Sequence, residues 1–307
     1  MYKIGENIHI VSPSVKEALK NRDGGFFVDQ ARKQKDAGGD AIDLNIGPRK
    51  KDGPEVVEWL VDCMQEAVPG MTISFDTTNL AAIETGLKLW GSNSIVNSTS
   101  AEEERLEQVP PLAGKYDAKL IALCLEKSGI PVSADARISI AMEKLIPRAE
   151  EVGIPMENLL VDPLILTVSG CQEYVPEAIE TVRMIKMVMD PPPMTVVGLS
   201  NVSNQVPHEM RPLLDRVYLT MLMGAGLDAA ILNPLDEDLM GVIQSVEARD
   251  DSTAVKALYL KLFDRVAGME ELQSEDVDMS DPEQAAIWKT VQVLLNKVIY
   301  TDSYLQF

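Results

Sequence analysis

Two hydrophobic periods alternate along the chain. Short runs of β-branched and apolar residues fall at 3–8, 41–48, 71–75, 94–96, 118–125, 158–161, 195–198 and 227–232. Between them, apolar side chains recur every three or four positions, the spacing of a helix that buries one face. The helical pattern covers 14–21, 27–37, 55–67, 80–89, 102–116, 134–152, 177–189 and 211–224. Punctuation agrees with this division. Gly38-Gly39 closes the second helix, Pro69-Gly70 precedes the third strand, and the block Asp190-Pro191-Pro192-Pro193 stops a helix before the seventh strand. A break is expected within 102–116, at Pro110-Pro111.

Eight strands alternating with helices at roughly 30-residue spacing imply a parallel sheet, which at that count closes most naturally as a (β/α)8 barrel. An open doubly wound sheet is the alternative, and no Gly-rich dinucleotide turn follows the first strand to support it. The tail leaves the rhythm. Val255, Leu258, Tyr259, Leu262, Phe263 and Val266 mark 252–267 as an amphipathic helix, and the acidic stretch after it reads as a solvated linker. A last helix at 285–300, with Ile287, Val291, Leu294, Leu295 and Val298 inward, is expected to close the barrel. The chain is thus read as one domain, 1–307, carrying an insertion at 247–286 that packs locally or meets a partner or second subunit.

Composition narrows the possible partners. With 307 residues and a net charge of -20, the chain repels phosphate backbones and anionic lipid, so nucleic acid and membrane surfaces are not expected to bind it. No apolar run is long enough to span a bilayer, and the first ten residues lack a signal-peptide layout, so a cytoplasmic location is expected. Cys63, Cys124 and Cys171 are odd in number and far apart; they are read as reduced core thiols rather than disulfide partners or metal ligands.

The candidate chemistry lies where strands end. Glu6 and Asn7, Asp43 and Asn45, Asp76, Asn97, Asp162 and Asn201 each stand at the carboxyl end of a predicted strand, the face on which barrel enzymes build their sites. Each alone could be a helix cap or turn residue. Together they line a pocket with carboxylates and carboxamides and almost no Lys, Arg or His. Such a rim suits a neutral, donor-rich heterocycle. A carboxylate accepts two parallel hydrogen bonds from an amino group and an adjacent ring N–H, and an Asn can donate and accept at once, a pairing that fits an aminopyrimidinone ring.

The motifs Gly5-Glu6, DLNIGP at 43–48, FDTTN at 75–79, NST at 97–99, DPLIL at 162–166 and GLSNVS at 198–203 resemble those of the pterin-binding methyltransferases. The nearest resemblance is to the methyltetrahydrofolate:corrinoid methyltransferases. It covers residues 1 to about 245 and resumes at LLNKVIYTDSY. It implies a TIM barrel of the pterin-binding type, a homodimer, tetrahydrofolate or methyltetrahydrofolate as substrate, and a corrinoid (cobalamin) at whose cobalt the methyl group is exchanged. Nothing in the chain resembles a DxHxxG cobalamin module, so the corrinoid is expected on a partner protein. By the same resemblance Asp162 clamps the pterin amino group and ring N–H, and Asn97 and Asp76 hold its remaining edge. Asn201 meets N5, and Glu6, Asp43, Asn45, Gly198, Ser200, Asn204 and Arg211 complete the binding set. No metal ligands are implied.

Departures from the family pattern fall at His9, at Asn204, at the loop 206–209 and in the longer segment 247–286. The direction of transfer is left open between methylating a corrinoid and receiving the methyl on tetrahydrofolate, as in anaerobic O-demethylation; the extended tail and altered loop lean toward the second. A dihydropteroate synthase-like enzyme and a non-catalytic pterin-binding subunit are the alternative readings.

Overall fold

The computed structural model describes residues 1–306. In chain order the elements are β1 (Tyr2–His9), α1 (Pro13–Asn21), α2 (Gly24–Asp36), β2 (Ala41–Asn45), α3 (Gly53–Ala67), β3 (Thr72–Asp76), α4 (Leu80–Trp90) and β4 (Ser94–Ser100). Then follow α5 (Glu103–Lys115), β5 (Lys119–Leu123), α6 (Ala134–Ile140), α7 (Ile146–Glu151), β6 (Leu159–Asp162), α8 (Val168–Cys171), α9 (Tyr174–Ile185) and β7 (Met194–Gly198). The chain continues through α10 (Arg211–Gly224), β8 (Ala229–Leu232), α11 (Glu237–Glu247), α12 (Ala254–Ala267) and α13 (Pro282–Leu294). The strands pair in sequence order, all parallel, and β8 pairs with β1 to close the barrel.

The strand alternation explains how one sheet carries both a core and a site. Ile4, Ala41, Ile95, Ile121, Leu160, Val196 and Ala229, one from each of seven strands, pack together as an apolar plug. Two residues further along a strand the side chain returns to the same face. Those positions are Glu6, Asp43, Asn97, Leu123, Asp162, Gly198 and Ile231. The barrel interior is therefore apolar in its lower layer and largely polar in the layer above. The opposite faces of the strands (Ile42, Leu44, Ile73 and Phe75; Val96, Leu120 and Val161) pack under the helices.

Several expected boundaries are corrected. The helix α5 is continuous through Pro110 and Pro111. Proline removes the amide that would reach the carbonyl four residues back, here those of Leu106 and Glu107, and Arg148 supplies the donors instead, from Nε to Leu106 O and from Nη2 to Glu107 O, both at 3.2 Å. The expected helix 134–152 holds a five-residue π turn, Ala141–Leu145, which accommodates the missing amide of Pro147. An additional helix, α11, follows β8; Asp236 caps it by accepting from Leu239 N at 2.9 Å.

The tail also differs. The final helix stops at Leu294, the chain reverses at Asn296 (φ 56°), and Val298 is half exposed rather than inward. Gln172 fixes this reversal: its Nε2 donates to Val293 O and Val298 O at 2.7 Å each, and its Oε1 accepts from Tyr300 N at 2.8 Å. β8, not α13, closes the barrel, while α12 and α13 pack outside on α10. Nor is the acidic segment a free linker. Leu272 and Val277 are buried, and Asp276 accepts from Arg265 Nε and Nη2 at 3.1 Å each.

Candidate active site

The second interior layer holds most of the expected site residues. Asp43 on β2 is buried, and its Oδ1 accepts from Ser74 Oγ at 2.5 Å and from Asn97 Nδ2 at 3.2 Å. Register places Asp43 beside Ser74 and Asn45 beside Asp76, and Asn45 Nδ2 donates to Asp76 Oδ2. Residues from β2, β3 and β4 thus form two neighbouring hydrogen-bonded sets, Asp43 with Ser74 and Asn97, and Asn45 with Asp76. Across the barrel, Asp162 at the end of β6 accepts from Leu164 N at 2.7 Å through Oδ1. Behind it the guanidinium of Arg137, fully buried, donates to Pro131 O at 2.9 Å and to Leu164 O at 3.4 Å.

Burial dominates the electrostatics of this layer. It pushes Asp43 up to about 6, only partly offset by the Ser74 and Asn97 hydrogen bonds. Asp76 is raised well above the usual carboxylate range by burial and by the nearby Asp43. Burial raises Asp162 to about 7 against the opposing Leu164 amide and the Arg137 charge. Asp43 and Asp162 are thus poised near neutrality, and all three acids are desolvated before any ligand arrives, which is the condition under which a hydrogen-bond donor is bound strongly.

A second region lies where β7, β8 and β1 meet. A cleft of about 600 Å³ is lined by Glu6, Asn7 and His9, by Ser200, Asn201 and Asn204, and by Arg211, Asp215, Asn233 and Asp236 among others. Asn201 ends a short 3-10 turn (Leu199–Asn201) directly after β7, and its side chain is exposed to this cleft. A Cβ on Gly198 would come to 3.0 Å from Asn201 Nδ2, so glycine there lets the carboxamide fold back over the strand end. Arg211 does not reach into the cleft with its whole fork: Nε is spent on Val206 O at 2.7 Å, holding the loop that carries Asn204. Ser200 Oγ donates to Glu6 Oε2 at 3.0 Å, and burial lifts Glu6 to about 7 despite that bond, helped by Asp215 and Asp43.

The expected residues therefore form two groups. Glu6, Ser200, Asn201, Asn204 and Arg211 share the cleft, whereas Asp43, Asn45, Asp76, Asn97 and Asp162 are carried by β2, β3, β4 and β6, with Asn45, Asp76 and Asp162 at strand ends and Asp43 and Asn97 within their strands. Sequence reasoning did not single out Asp215, Asn233, Asp236 or Arg137. Asp215 lies just past the first turn of α10, raised to about 7 by burial and with Oδ1 buried without a hydrogen-bond partner. Within RPLLDR it has the look of an ordinary surface helix charge, and no periodic signal marks it. Asn233 follows the last strand as the others do, and its Oδ1 accepts from Asn7 Nδ2 at 2.8 Å.

Comparison with known proteins agrees with this fold. The family described as pterin binding enzyme matches residues 12–233. The methylcorrinoid:tetrahydrofolate methyltransferase of Eubacterium limosum is 26% identical over 265 residues, covering 86% of this chain and 96% of that protein. Methionine synthase of Mycobacterium tuberculosis is 26% identical over 230 residues, 72% of this chain but 19% of that much longer protein, about a fifth of its length. Among solved structures, dihydropteroate synthase of Xanthomonas albilineans with 4-aminobenzoic acid superposes with a TM-score of 0.59 at 14% identity, covering 80% of this chain and 92% of that one; at that identity the likeness is one of fold. With the family matching most of the barrel and the buried acids standing on its strand ends, this chain belongs to the pterin-binding enzymes.

Proposed function

We propose that this protein is a methyltransferase that moves a methyl group between N5 of tetrahydrofolate and the cobalt of a corrinoid carried by a separate protein, running from methylcorrinoid to tetrahydrofolate. The observation that carries the reading is the similarity along 96% of the Eubacterium limosum methylcorrinoid:tetrahydrofolate methyltransferase. The site's donor and acceptor set fits the pterin half of that substrate.

In this reading Asp162 accepts the 2-amino group and the neighbouring ring N–H as a parallel pair. Asp76 and Asn97 take the remaining polar edge, with Asp43 and Asn45 holding them in place. Glu6, Gly198, Ser200, Asn204 and Arg211 shape the side of the pocket nearest N5. Transfer is an in-line SN2 displacement: the N5 lone pair attacks the methyl carbon, the nitrogen–carbon bond forms, and the cobalt–carbon bond breaks with its electron pair remaining on cobalt. N5 gains positive charge as this happens and afterwards releases its proton. Asn201 assists by turning its amide oxygen toward N5–H, a fixed dipole aimed at developing charge. A carboxamide is not itself a proton carrier, so the proton leaves through the hydrogen-bonded rim to solvent.

In keeping with the resemblance, we place the enzyme in the cytoplasm, as a homodimer, in anaerobic O-demethylation, with the whole chain acting as one unit that includes 247–286. The exposed Val298 and Ile299 offer an apolar face that a second copy would cover. The central test is an anaerobic stopped-flow mix of the protein with methylcob(III)alamin and tetrahydrofolate, read by the visible spectrum of cobalt. Protein-dependent conversion supports the proposal. Pterin binding without transfer, from free or protein-borne corrinoid, would favour a non-catalytic subunit, and absence of pterin binding would overturn both readings.

A further inference from the structure

The loop between β2 and α3 carries Arg49, Lys50 and Lys51 in succession, in a chain with 48 acidic and 28 basic residues. It stands at the carboxyl ends of the strands, on the same face as the site. A run of charges is ordinarily just solvated, and the exposed Lys50 and Lys51 fit that description. Arg49 does not.

Two side chains of the adjacent β3–α4 loop grip this segment. Thr77 Oγ1 donates to Gly47 O at 2.6 Å and Asn79 Nδ2 donates to Arg49 O at 2.9 Å. Between those grips Arg49 is held at φ 24°, in the left-handed region that a side chain with a Cβ disfavours. Its Nε lies 3.5 Å from Asp52 Oδ1, a weak pairing, and its Nη1 is buried without any hydrogen-bond partner among the described residues. A strained backbone that holds an unsatisfied guanidinium N–H is costly in the free protein. The side chain as a whole is 24% exposed, so a ligand carboxylate can draw the guanidinium outward and satisfy it, because the planar fork matches a carboxylate in two parallel bonds.

We infer that Arg49, with Lys50 and Lys51 beside it, is a carboxylate subsite for the glutamate tail of the folate. This rests on the proposed function, and the topology supports it independently of Arg49. In a closed eight-strand order β2 stands opposite β6. A pterin whose amino end is held by Asp162 on β6 points its far end, where the aminobenzoyl-glutamate is attached, across the barrel toward β2. The tail then leaves over the one basic loop on that side. The glutamate supplies two carboxylates, and each further γ-linked glutamate adds another, which the two exposed lysines are placed to meet.

The test is equilibrium binding of tetrahydrofolate monoglutamate, its triglutamate and the tail-less 6-methyltetrahydropterin to the wild-type protein, to Arg49→Gln and to the double variant Lys50→Gln/Lys51→Gln. Expected are tighter binding of the folates than of the tail-less pterin, an approximately tenfold loss of folate affinity in Arg49→Gln with the tail-less pterin unaffected, and a reduced triglutamate preference in the lysine variant. The tail-less pterin also reports whether Arg49→Gln is folded; if it is not, the lysine variant and the salt sensitivity of triglutamate binding decide. Unchanged folate affinity, or an equal loss for all three ligands, overturns the subsite. Failure of the wild-type protein to bind any of them overturns the pterin reading itself.

Discussion

Ser200 Oγ and Glu6 Oε2 are joined by a 3.0 Å hydrogen bond that ties the turn after β7 to the end of β1. The bond spans the place where the barrel closes, and it is made by the residue immediately before Asn201. It also opposes the burial that lifts Glu6 to about 7. Removing the donor in Ser200→Ala should raise Glu6 further, since a hydrogen bond to the charged form stabilises that form. Carboxyl-carbon NMR titration of Glu6 checks this, and an unmoved or lowered midpoint would show that the bond does not matter to its ionisation.

Asp162→Asn should weaken pterin binding by about 1–3 kcal/mol, because a charge-assisted pair is exchanged for a neutral group that presents a donor to a donor. Calorimetric titration with tetrahydrofolate measures it. Affinity equal to the wild type would take Asp162 out of the clamp.

For Asn201→Ala the expected signature is kinetic. If its amide oxygen acts on charge that develops at N5 only during transfer, the rate constant for methyl transfer should fall more than the folate affinity does. Single-turnover rates set against binding constants separate the two, and losses of equal size would make Asn201 a simple binding residue.

The buried acids make stability depend on pH. Glu6, Asp162 and Asp215 rise to about 7 and Asp43 to about 6 in the folded protein, all chiefly through burial. Unfolded, they titrate near 4. Between these limits the folded state binds more protons than the unfolded state, so the unfolding free energy falls as pH rises from about 4 to about 7 through these groups. The ligand-free protein should therefore melt at a lower temperature at pH 8 than at pH 6, and Asp162→Asn should narrow the gap. Thermal denaturation at the two pH values tests both; a higher melting temperature at pH 8 for the wild type would contradict the assignment.

Gly86 of α4 packs on the ring of Phe75, the residue before Asp76, and a Cβ there would lie 2.5 Å from Phe75 Cε1. Gly86→Ala should destabilise the protein in urea by about 1–3 kcal/mol from overpacking, less the up to about 1 kcal/mol that alanine returns in helix propensity. A net gain in stability would mean that the ring moves aside at little cost.

Much of the architecture was legible in the chain because strand and helix periods are local properties. All eight strands lie where the apolar runs indicate; of the positions expected at their ends, Asn45, Asp76, Asp162 and Asn201 stand at or just beyond a strand terminus, whereas Glu6, Asn7, Asp43 and Asn97 lie within strands that begin earlier or run on further than the apolar runs show. What failed to show were elements whose support is distant. Pro110 and Pro111 read as a break because the arginine that replaces their missing amides is some forty residues away, and the acidic stretch read as solvated because Arg265 and the cover over Leu272 and Val277 are set by packing. Asp215 was invisible because nothing local separates a helix-surface carboxylate from one turned under a loop.

By itself, then, the sequence determined an alternating eightfold barrel and a polar residue at the mouth of most of its strands, since two-residue alternation puts Asp43 above Ala41 and Asp162 above Leu160 whatever surrounds them. Only the tertiary structure decided which of those residues meet. Closure of the barrel brings Glu6 to Ser200 across 194 positions of the chain, and it places Asp162 opposite β2 rather than beside it. The burial that raises the acids toward neutrality is likewise collective: it depends on every wall of the pocket and is written in no single segment.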